Sequence, residues 1–326
     1  MRLLTNSSLK AYRRCCRLFK LRYVDGWRCV VEDEVLRFGS LVHLGLEAWF
    51  RAQEDRLAAA LAAMAGEADP FERARAEVLI EGYDARWSGE EMEVLAVEAE
   101  FRAPLINPET GAPSRTWDLA GKIDAVVKVP DSRVLVVEHK TSSENVDAGS
   151  DYWRRLRMDG QVSTYLNGAR ALGFDVAGCL YDVVSKPAIK PLKATPPDAR
   201  KFTKTGALYA NQRDADETPD AYRARLLEAL AVDPARYYSR GEVVRLDADL
   251  AEHAADVWQV GQTIRDGIRL KVFPRNPDGC IAWGRTCEYF DVCSGAASLD
   301  DPARFKRVEQ VHSELSATAP TEEQPT

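Results

Sequence analysis

The sequence lacks any apolar run long enough to span a bilayer, which takes ~20 residues. Its apolar runs, such as Val134 to Val137 and the alanine-rich stretch around Ala58 to Ala63, fall far short, so a membrane-spanning role is not expected. A secretory pattern is missing too. Met1-Arg2-Leu3-Leu4 turns polar at Thr5-Asn6-Ser7-Ser8, with neither an apolar h-region nor a small-residue cleavage site, and an intracellular, cytoplasmic location is expected. Without a leader, seven cysteines, an odd number in a long chain, do not read as a disulfide framework, and metal ligation fits them better. Nor is positive charge in excess. The net charge of −7 argues mildly against a nucleic-acid partner, although a basic groove can sit on an acidic protein. No internal repeat is visible.

What is present suffices for a large core: 326 residues, 45% hydrophobic, allow one elaborated domain or two small ones. Basic residues are unevenly spread. Residues 1 to 28 hold Arg2, Lys10, Arg13, Arg14, Arg17, Lys20, Arg22 and Arg28 against Asp25 alone, a net +7. Lys186 to Lys204 hold six against Asp198, a net +5. Each stretch reads either as a phosphate-tracking surface or as an ordinary solvated face.

Ser8 to Tyr23 reads as a first helix with Ser7 or Ser8 as N-cap. A strongly helical pattern runs from Gly39 to Ala63, is broken at Asp69-Pro70, and resumes from Phe71 to Trp87. Strands are expected at Glu93 to Phe101, Thr116 to Val129 and Arg133 to Lys140, the last two joined by the turn Pro130-Asp131-Ser132. A helix over Asp151 to Leu172 ends at Gly173, and a strand follows at Gly178 to Val184. This αβββαβ order predicts an α/β core, a mixed sheet with helices on its faces. Lys186 to Pro219 reads as a long loop or insertion, helices follow at Pro219 to Ala231 and Asp247 to Gly267, and Ser313 to Thr326 has the composition of a disordered tail.

Asp124 ends one arm of the hairpin, and Glu138-His139-Lys140 follow directly on the apolar run of the other. Two carboxylates converging at adjacent strand ends make an oxygen site for Mg²⁺ or Mn²⁺, ions that polarise phosphates and generate hydroxide from water. Lys140, two residues after Glu138, shares its face of the strand and can hold the attacking water or neutralise developing charge. Taken alone, an Asp and a Glu-x-Lys at strand ends are also common as surface charges. His43 sits mid-helix among apolar neighbours, where core histidines are frequent, and Gln161 and Tyr165 form an i, i+4 pair that packing explains as readily as chemistry.

The ordered series Gly39-x3-His43, Gly121-x2-Asp124, Glu138-x-Lys140 and Gln161-x3-Tyr165 resembles the RecB-like branch of the PD-(D/E)XK nuclease superfamily. That branch includes CRISPR-associated exonucleases with iron–sulfur clusters and many phage exonucleases. The resemblance implies a restriction-endonuclease-like mixed sheet flanked by helices. It implies His43, Asp124 and Glu138 as metal ligands with the His139 carbonyl beside them, Lys140 as the catalytic lysine, and Gln161 and Tyr165 as supports of the site or the DNA. Glu100 is a further acidic candidate. Leu9, Tyr12, Cys15, Phe19 and Tyr23 match the register of the family's N-terminal helix, with Cys16 where proline is usual. Phe273 to Pro277 then leads into Cys280-x6-Cys287-x5-Cys293, similar to the three C-terminal cluster cysteines, although the first gap is x2 in the usual pattern.

Cys15, Cys280, Cys287 and Cys293 are thus implied to hold a [4Fe–4S] cluster; four thiolates also suit a structural Zn²⁺, and Cys16 could exchange with Cys15. Such a centre would staple the two ends of the fold. Cys29 and Cys179, in apolar or strand contexts, read as buried thiols. A single nuclease domain is expected over residues 1–312: a basic helix with a cluster cysteine (1–30), a catalytic core (31–185), a basic insertion (186–219) and a helical part with the remaining cluster cysteines (220–312). The implied activity is a metal-dependent DNA exonuclease, bacterial or phage-encoded, acting on single strands or duplex ends in recombination, repair or CRISPR processing. The basic segments would track phosphates, and Phe202 and Tyr209 would either stack on bases or anchor the insertion. A homo-oligomer or a partner protein is open. The rival reading is a non-catalytic DNA-binding or assembly subunit, against which the intact set of Asp124, Glu138 and Lys140 speaks; an RNA substrate is the other alternative.

Overall fold

The structure, a computed structural model, describes residues 2–31, 34–282 and 284–315. It begins with β1 (Arg2–Leu4) and α1 (Asn6–Arg14). The cap of α1 is Thr5, earlier than the serines expected: its hydroxyl accepts from the Ser8 N–H at 3.3 Å and its own N–H donates to the Ser8 hydroxyl at 2.9 Å. The helix expected to continue to Tyr23 is broken at Cys15, which is extended (φ −164°, ψ 121°), and resumes as α2 (Cys16–Phe19) and a π-helical turn (Lys20–Val24). The break turns the Arg17 N–H to the Pro274 carbonyl, 3.2 Å away, tying the N-terminal segment to the C-terminal one. β2 (Trp27–Cys29) pairs with the last strand.

The helical stretch expected from Gly39 to Ala63 is two helices, α3 (Glu34–Arg51) and α4 (Arg56–Met64). Asp55 separates them in the left-handed region (φ 42°), where short acidic side chains are tolerated, and its carboxylate accepts from the Ala58 N–H at 3.1 Å. α5 (Pro70–Trp87) starts with Asp69 as cap and proline in its first turn. The meander β3 (Glu93–Ile106), β4 (Pro113–Lys128) and β5 (Val134–Ser142) follows, its last turn closed by Ser132 at φ 70°. The next helix is again divided, into α6 (Asp151–Leu156) and α7 (Gly160–Ala171), because Asp159 starts a fresh cap on the Gln161 N–H at 2.9 Å. Then come β6 (Val176–Ser185), α8 (Pro219–Val232), β7 (Tyr238–Val243), α9 (Asp247–Leu270), β8 (Ile281–Ala282), β9 (Arg285–Thr286), α10 (Phe290–Ser294) and β10 (Phe305–Arg307). β1 and β7 extend the expected four-stranded set to a six-stranded mixed sheet.

β4 is the sheet's long member. One edge pairs with β3 throughout; the other is shared end to end, with parallel β1 along Trp117–Leu119 and antiparallel β5 along Ala125–Lys128. β6 lies parallel to β5, and β7 antiparallel to β6. Side chains alternate across the sheet. Ala125, Val127, Leu135 and Val137 pack under α3, α4, α5 and α8 on one face, while Val126, Val136, Tyr181 and Val183 pack with Val162, Leu166 and Ala169 of α7 on the other. Leu4, Leu9 and Trp117 pack with Val257 and Ile264 of α9 in a third cluster. No helix among the described residues is long and apolar enough to cross a membrane.

Candidate active site

Because β1 leaves β4 after Leu119 and β5 joins it only from Ala125, residues 120–124 face the gap between two diverging strands. A pocket of about 230 Å³ opens there, lined by His43, Gly121, Lys122, Asp124, Glu138, Lys140, Gln161 and Tyr165, with Thr5, Asn6 and Ser7 at the start of α1 and Glu314 from the C-terminal segment. Of the residues singled out by the four motifs, the side chains of His43, Asp124, Glu138, Lys140, Gln161 and Tyr165 all reach it.

Asp124 Oδ2 accepts from the His139 N–H at 2.7 Å and lies 3.9 Å from His43 Nδ1. Glu138 is 2% exposed; its Oε1 accepts from Gln161 Nε2 at 2.6 Å and pairs with the Lys140 ammonium, while its Oε2 is buried with no hydrogen-bond partner. Burial pushes the Glu138 carboxyl up to about 7, with Lys140 opposing and the nearby Asp124 charge adding to the rise. Burial works against the Lys140 charge, but Glu138 and Asp124 outweigh it and hold the ammonium firmly protonated. Burial lowers His43 to about 4 despite Asp124, so its imidazole is neutral at pH 7 with a lone pair to offer. Tyr165, a turn beyond Gln161, meets the Phe101 ring edge-on at 6.2 Å.

Two glycines set this closeness. Gly121 on β4 and Gly168 on α7 press on Phe101, and neither leaves room for a Cβ, so α7 sits low enough on the sheet for Gln161 to reach Glu138.

The His139 ring points away from the pocket. Its Nδ1 lies 3.2 Å from Asp182 Oδ2, and Asp182, fully buried, also accepts from Tyr83 and faces Arg240 Nε at 3.1 Å. Burial would raise the Asp182 carboxyl, yet Arg240 and His139 hold it well below the usual carboxylate range. This charged network clamps β5 from behind and presents the His139 N–H to Asp124.

Several residues at the pocket escape a reading of the sequence. Glu98, at φ 53° in β3, stands behind the pocket, pairing with its lining residue Lys122 and feeling the Asp124 charge; neither Glu98 nor Glu100 lines the pocket itself. Nothing in the sequence marks Glu98, because a positive φ at a glutamate has no local signature. Glu314 falls in the stretch expected to be disordered; residues 313–315 are placed, and 316–326 lie outside the described residues. The basic N-terminal stretch is largely spent on internal contacts. Arg14 donates to the Gly279 carbonyl, Arg17 to that of Phe273 and Arg28 to that of Val311, while Arg22 pairs with Glu288. It is therefore a staple between chain ends and not the free phosphate-tracking face expected.

A model of the PD-(D/E)XK nuclease superfamily matches residues 4–294. The chain belongs to that superfamily. Among solved structures it is similar to a candidate exonuclease from Eubacterium rectale, at 12% identity over 92% of this chain and 90% of that one, with a TM-score of 0.47. It is also similar to a phage-related exonuclease from Haemophilus somnus 129PT, at 13% identity over 71% and 94%, with a TM-score of 0.32. No curated protein matches it in sequence.

PD-(D/E)XK nucleases generally use divalent ions such as Mg²⁺ or Mn²⁺. The pocket suits such an ion in donor chemistry: hard carboxylate oxygens, one of them the orphaned Glu138 Oε2, and a neutral imidazole. Among the described residues, however, no three His, Cys, Asp or Glu side chains are already drawn into a metal-binding group, here or at the cysteines. The expected cluster ligands are neighbours without forming a closed cage. Cys15, Cys287 and Cys293 share an apolar cluster with Leu18, Leu21 and Tyr289, and the Cys287 N–H donates to the Cys280 carbonyl at 2.7 Å. Burial raises the Cys293 thiol, and nearby Cys15 and Cys280 add to the rise. Cys16 packs instead in the third core cluster, beside Tyr12. Cys179 is fully buried as expected, but Cys29 joins the cluster of Cys15, Cys287 and Cys293.

Proposed function

We propose that this PD-(D/E)XK family member is a divalent-metal-dependent exodeoxyribonuclease. The observation that carries the reading is the buried Glu138, with one oxygen orphaned and the other held by Gln161 and Lys140, in the same pocket as Asp124 and His43. A carboxylate so buried is costly unless it serves a cation. His43, Asp124, Glu138 and the His139 carbonyl would hold Mg²⁺ or Mn²⁺, which when bound supplies Lewis-acid polarisation of a phosphodiester and acidification of water. Gln161 fixes the Glu138 rotamer through its amide. Lys140, permanently cationic, stabilises negative charge growing on the phosphoryl oxygens, and Tyr165 walls the pocket beside it.

Cys15, Cys280, Cys287 and Cys293 are proposed to hold a [4Fe–4S] cluster that ties the N-terminal segment to residues 274–293; a structural Zn²⁺ would tie them equally. Their gathering from chain positions 15 and 280–293 around one cluster supports the assignment.

The test is hydrolysis of linear and covalently circular single strands in Mg²⁺ or Mn²⁺. An exonuclease shortens the linear strand and spares the circle. Cutting of both would make the activity endonucleolytic, and binding without cutting would favour a DNA-binding subunit.

A further inference from the structure

The insertion after β6 is an ordered, two-stranded arm. Its legs pair through Glu217 N–H to the Leu192 carbonyl (2.9 Å), Thr195 N–H to Arg213 (2.9 Å), Tyr209 N–H to Lys201 (3.1 Å) and Thr203 N–H to Ala207 (2.8 Å). Gly206, at φ 81°, turns the tip, and Phe202 bridges to Leu208. The arm is rooted at the pocket's end of the sheet: the Lys186 N–H donates to the carbonyl of Ser142, two residues beyond Lys140, at 2.7 Å.

Two properties of the tip point to nucleic acid. Residues 199–213 contain Arg200, Lys201, Lys204 and Arg213 and no acidic residue, in a chain of net charge −7. Phe202 is 57% and Tyr209 47% exposed, and neither belongs to a core cluster among the described residues, so they do not anchor the arm. Cross-strand pairing sets Phe202 opposite Leu208 and Tyr209 opposite Lys201, which sends the two rings to opposite faces of the ribbon. The pocket, at about 230 Å³, is smaller than those that enclose even a drug-sized ligand, roughly 300–1,000 Å³, and has no room for paired strands. A strand would enter such a pocket more readily once parted from its complement, which an element that splays the terminal pair would bring about.

We propose that the arm is a wedge for DNA duplex ends, with Phe202 and Tyr209 stacking on the bases of the opening terminal pair and Lys201 and Lys204 on the flanking phosphates. The proposal rests on the reading of the pocket as a DNA hydrolase. Base–aromatic stacking is worth ~1–3 kcal/mol per base, which sets the scale of loss at roughly tenfold or more.

The test compares the full-length chain with Phe202→Ala/Tyr209→Ala. Affinity is measured in EDTA for a blunt duplex and for a dumbbell of the same sequence closed at both ends; degradation in Mg²⁺ is measured for the duplex and for one of its strands alone. Wild type is expected to prefer the ended duplex. The double variant should lose that preference and show a duplex-to-single-strand rate ratio about tenfold lower, with urea stability unchanged and Phe202→Trp/Tyr209→Trp restoring both. A wild type indifferent to ends, or a variant that keeps preference and ratio, overturns the wedge; the latter is also the result expected of a protein-docking arm. If wild type prefers ends but degrades nothing, the hydrolase reading fails while the affinity data still decide the arm.

Discussion

Replacing Gly168 by alanine tests how α7 is brought down onto the sheet. A Cβ there would lie 2.5 Å from Cε1 and 2.6 Å from Cγ of Phe101, a ring only 4% exposed and blocked on its other side by Gly121, where a Cβ would meet it at 2.8 Å. On an open helix surface glycine to alanine gains about 1 kcal/mol. Overpacking a core costs about 1–3 kcal/mol, and here the obstacle is a caged ring and not the free end of a flexible chain. The second effect wins, and Gly168→Ala is expected to destabilise by about 1–2 kcal/mol. In a Phe101→Ala background the ring and its Cγ are both gone, so the same change should be neutral or stabilising by up to about 1 kcal/mol, a coupling of about 2 kcal/mol. Urea unfolding at constant m-value measures all four proteins. Because α7 carries Gln161, Gly168→Ala should also slow hydrolysis. An equal cost in both backgrounds would refute the packing argument.

Asp182→Asn removes the fully buried counter-charge of Arg240, whose side chain is 7% exposed, and leaves it only the part-exposed Glu90, which should cost about 3 kcal/mol of unfolding free energy by urea titration. His253 is buried against Thr164 at 3.0 Å and faces Arg13, Arg245, Asp256 and Asp159; burial first, then Arg13, lowers it to about 4. The unfolded chain then takes up the proton first, so this group's contribution, complete above pH ~6.5, falls by about 3 kcal/mol as pH drops toward 4, and His253→Gln should remove that share of the fall while leaving the share of His43, which burial lowers likewise. If an iron–sulfur centre is present, Cys15→Ser should abolish the iron content and colour of anaerobically purified protein while Cys16→Ser keeps both; loss in both variants would contradict the assignment of Cys15.

The sheet's middle was legible because its strands carry unbroken apolar runs such as Val134 to Val137, and its turn carries Pro130-Asp131-Ser132. β1 and β7 were not: Arg2–Leu4 is three residues long, and Tyr238–Val243 contains Ser, Arg, Gly and Glu, so their pairing is decided by the sheet edge and not by local preference. Helix breaks at Cys15, Asp55 and Asp159 were missed for a related reason, since apolar periodicity persists across a cap and only the turn geometry interrupts it. At the pocket, Asp124, Glu138 and Lys140 were readable from spacing along adjacent strands, whereas Thr5 and Glu314 line it from distant segments and Glu98 backs it through Lys122, meetings that no spacing records.

The most direct measurement is degradation of a 5′-labelled single strand in Mg²⁺ or Mn²⁺ by wild type, Glu138→Ala and Lys140→Ala, with DNA binding and urea stability measured for each. Metal-dependent shortening by wild type, abolished in both folded, DNA-binding variants, is the predicted result. Wild-type protein that folds, binds DNA and leaves it intact, or a Glu138→Ala variant that still degrades it, would contradict the placement of catalysis at this pocket.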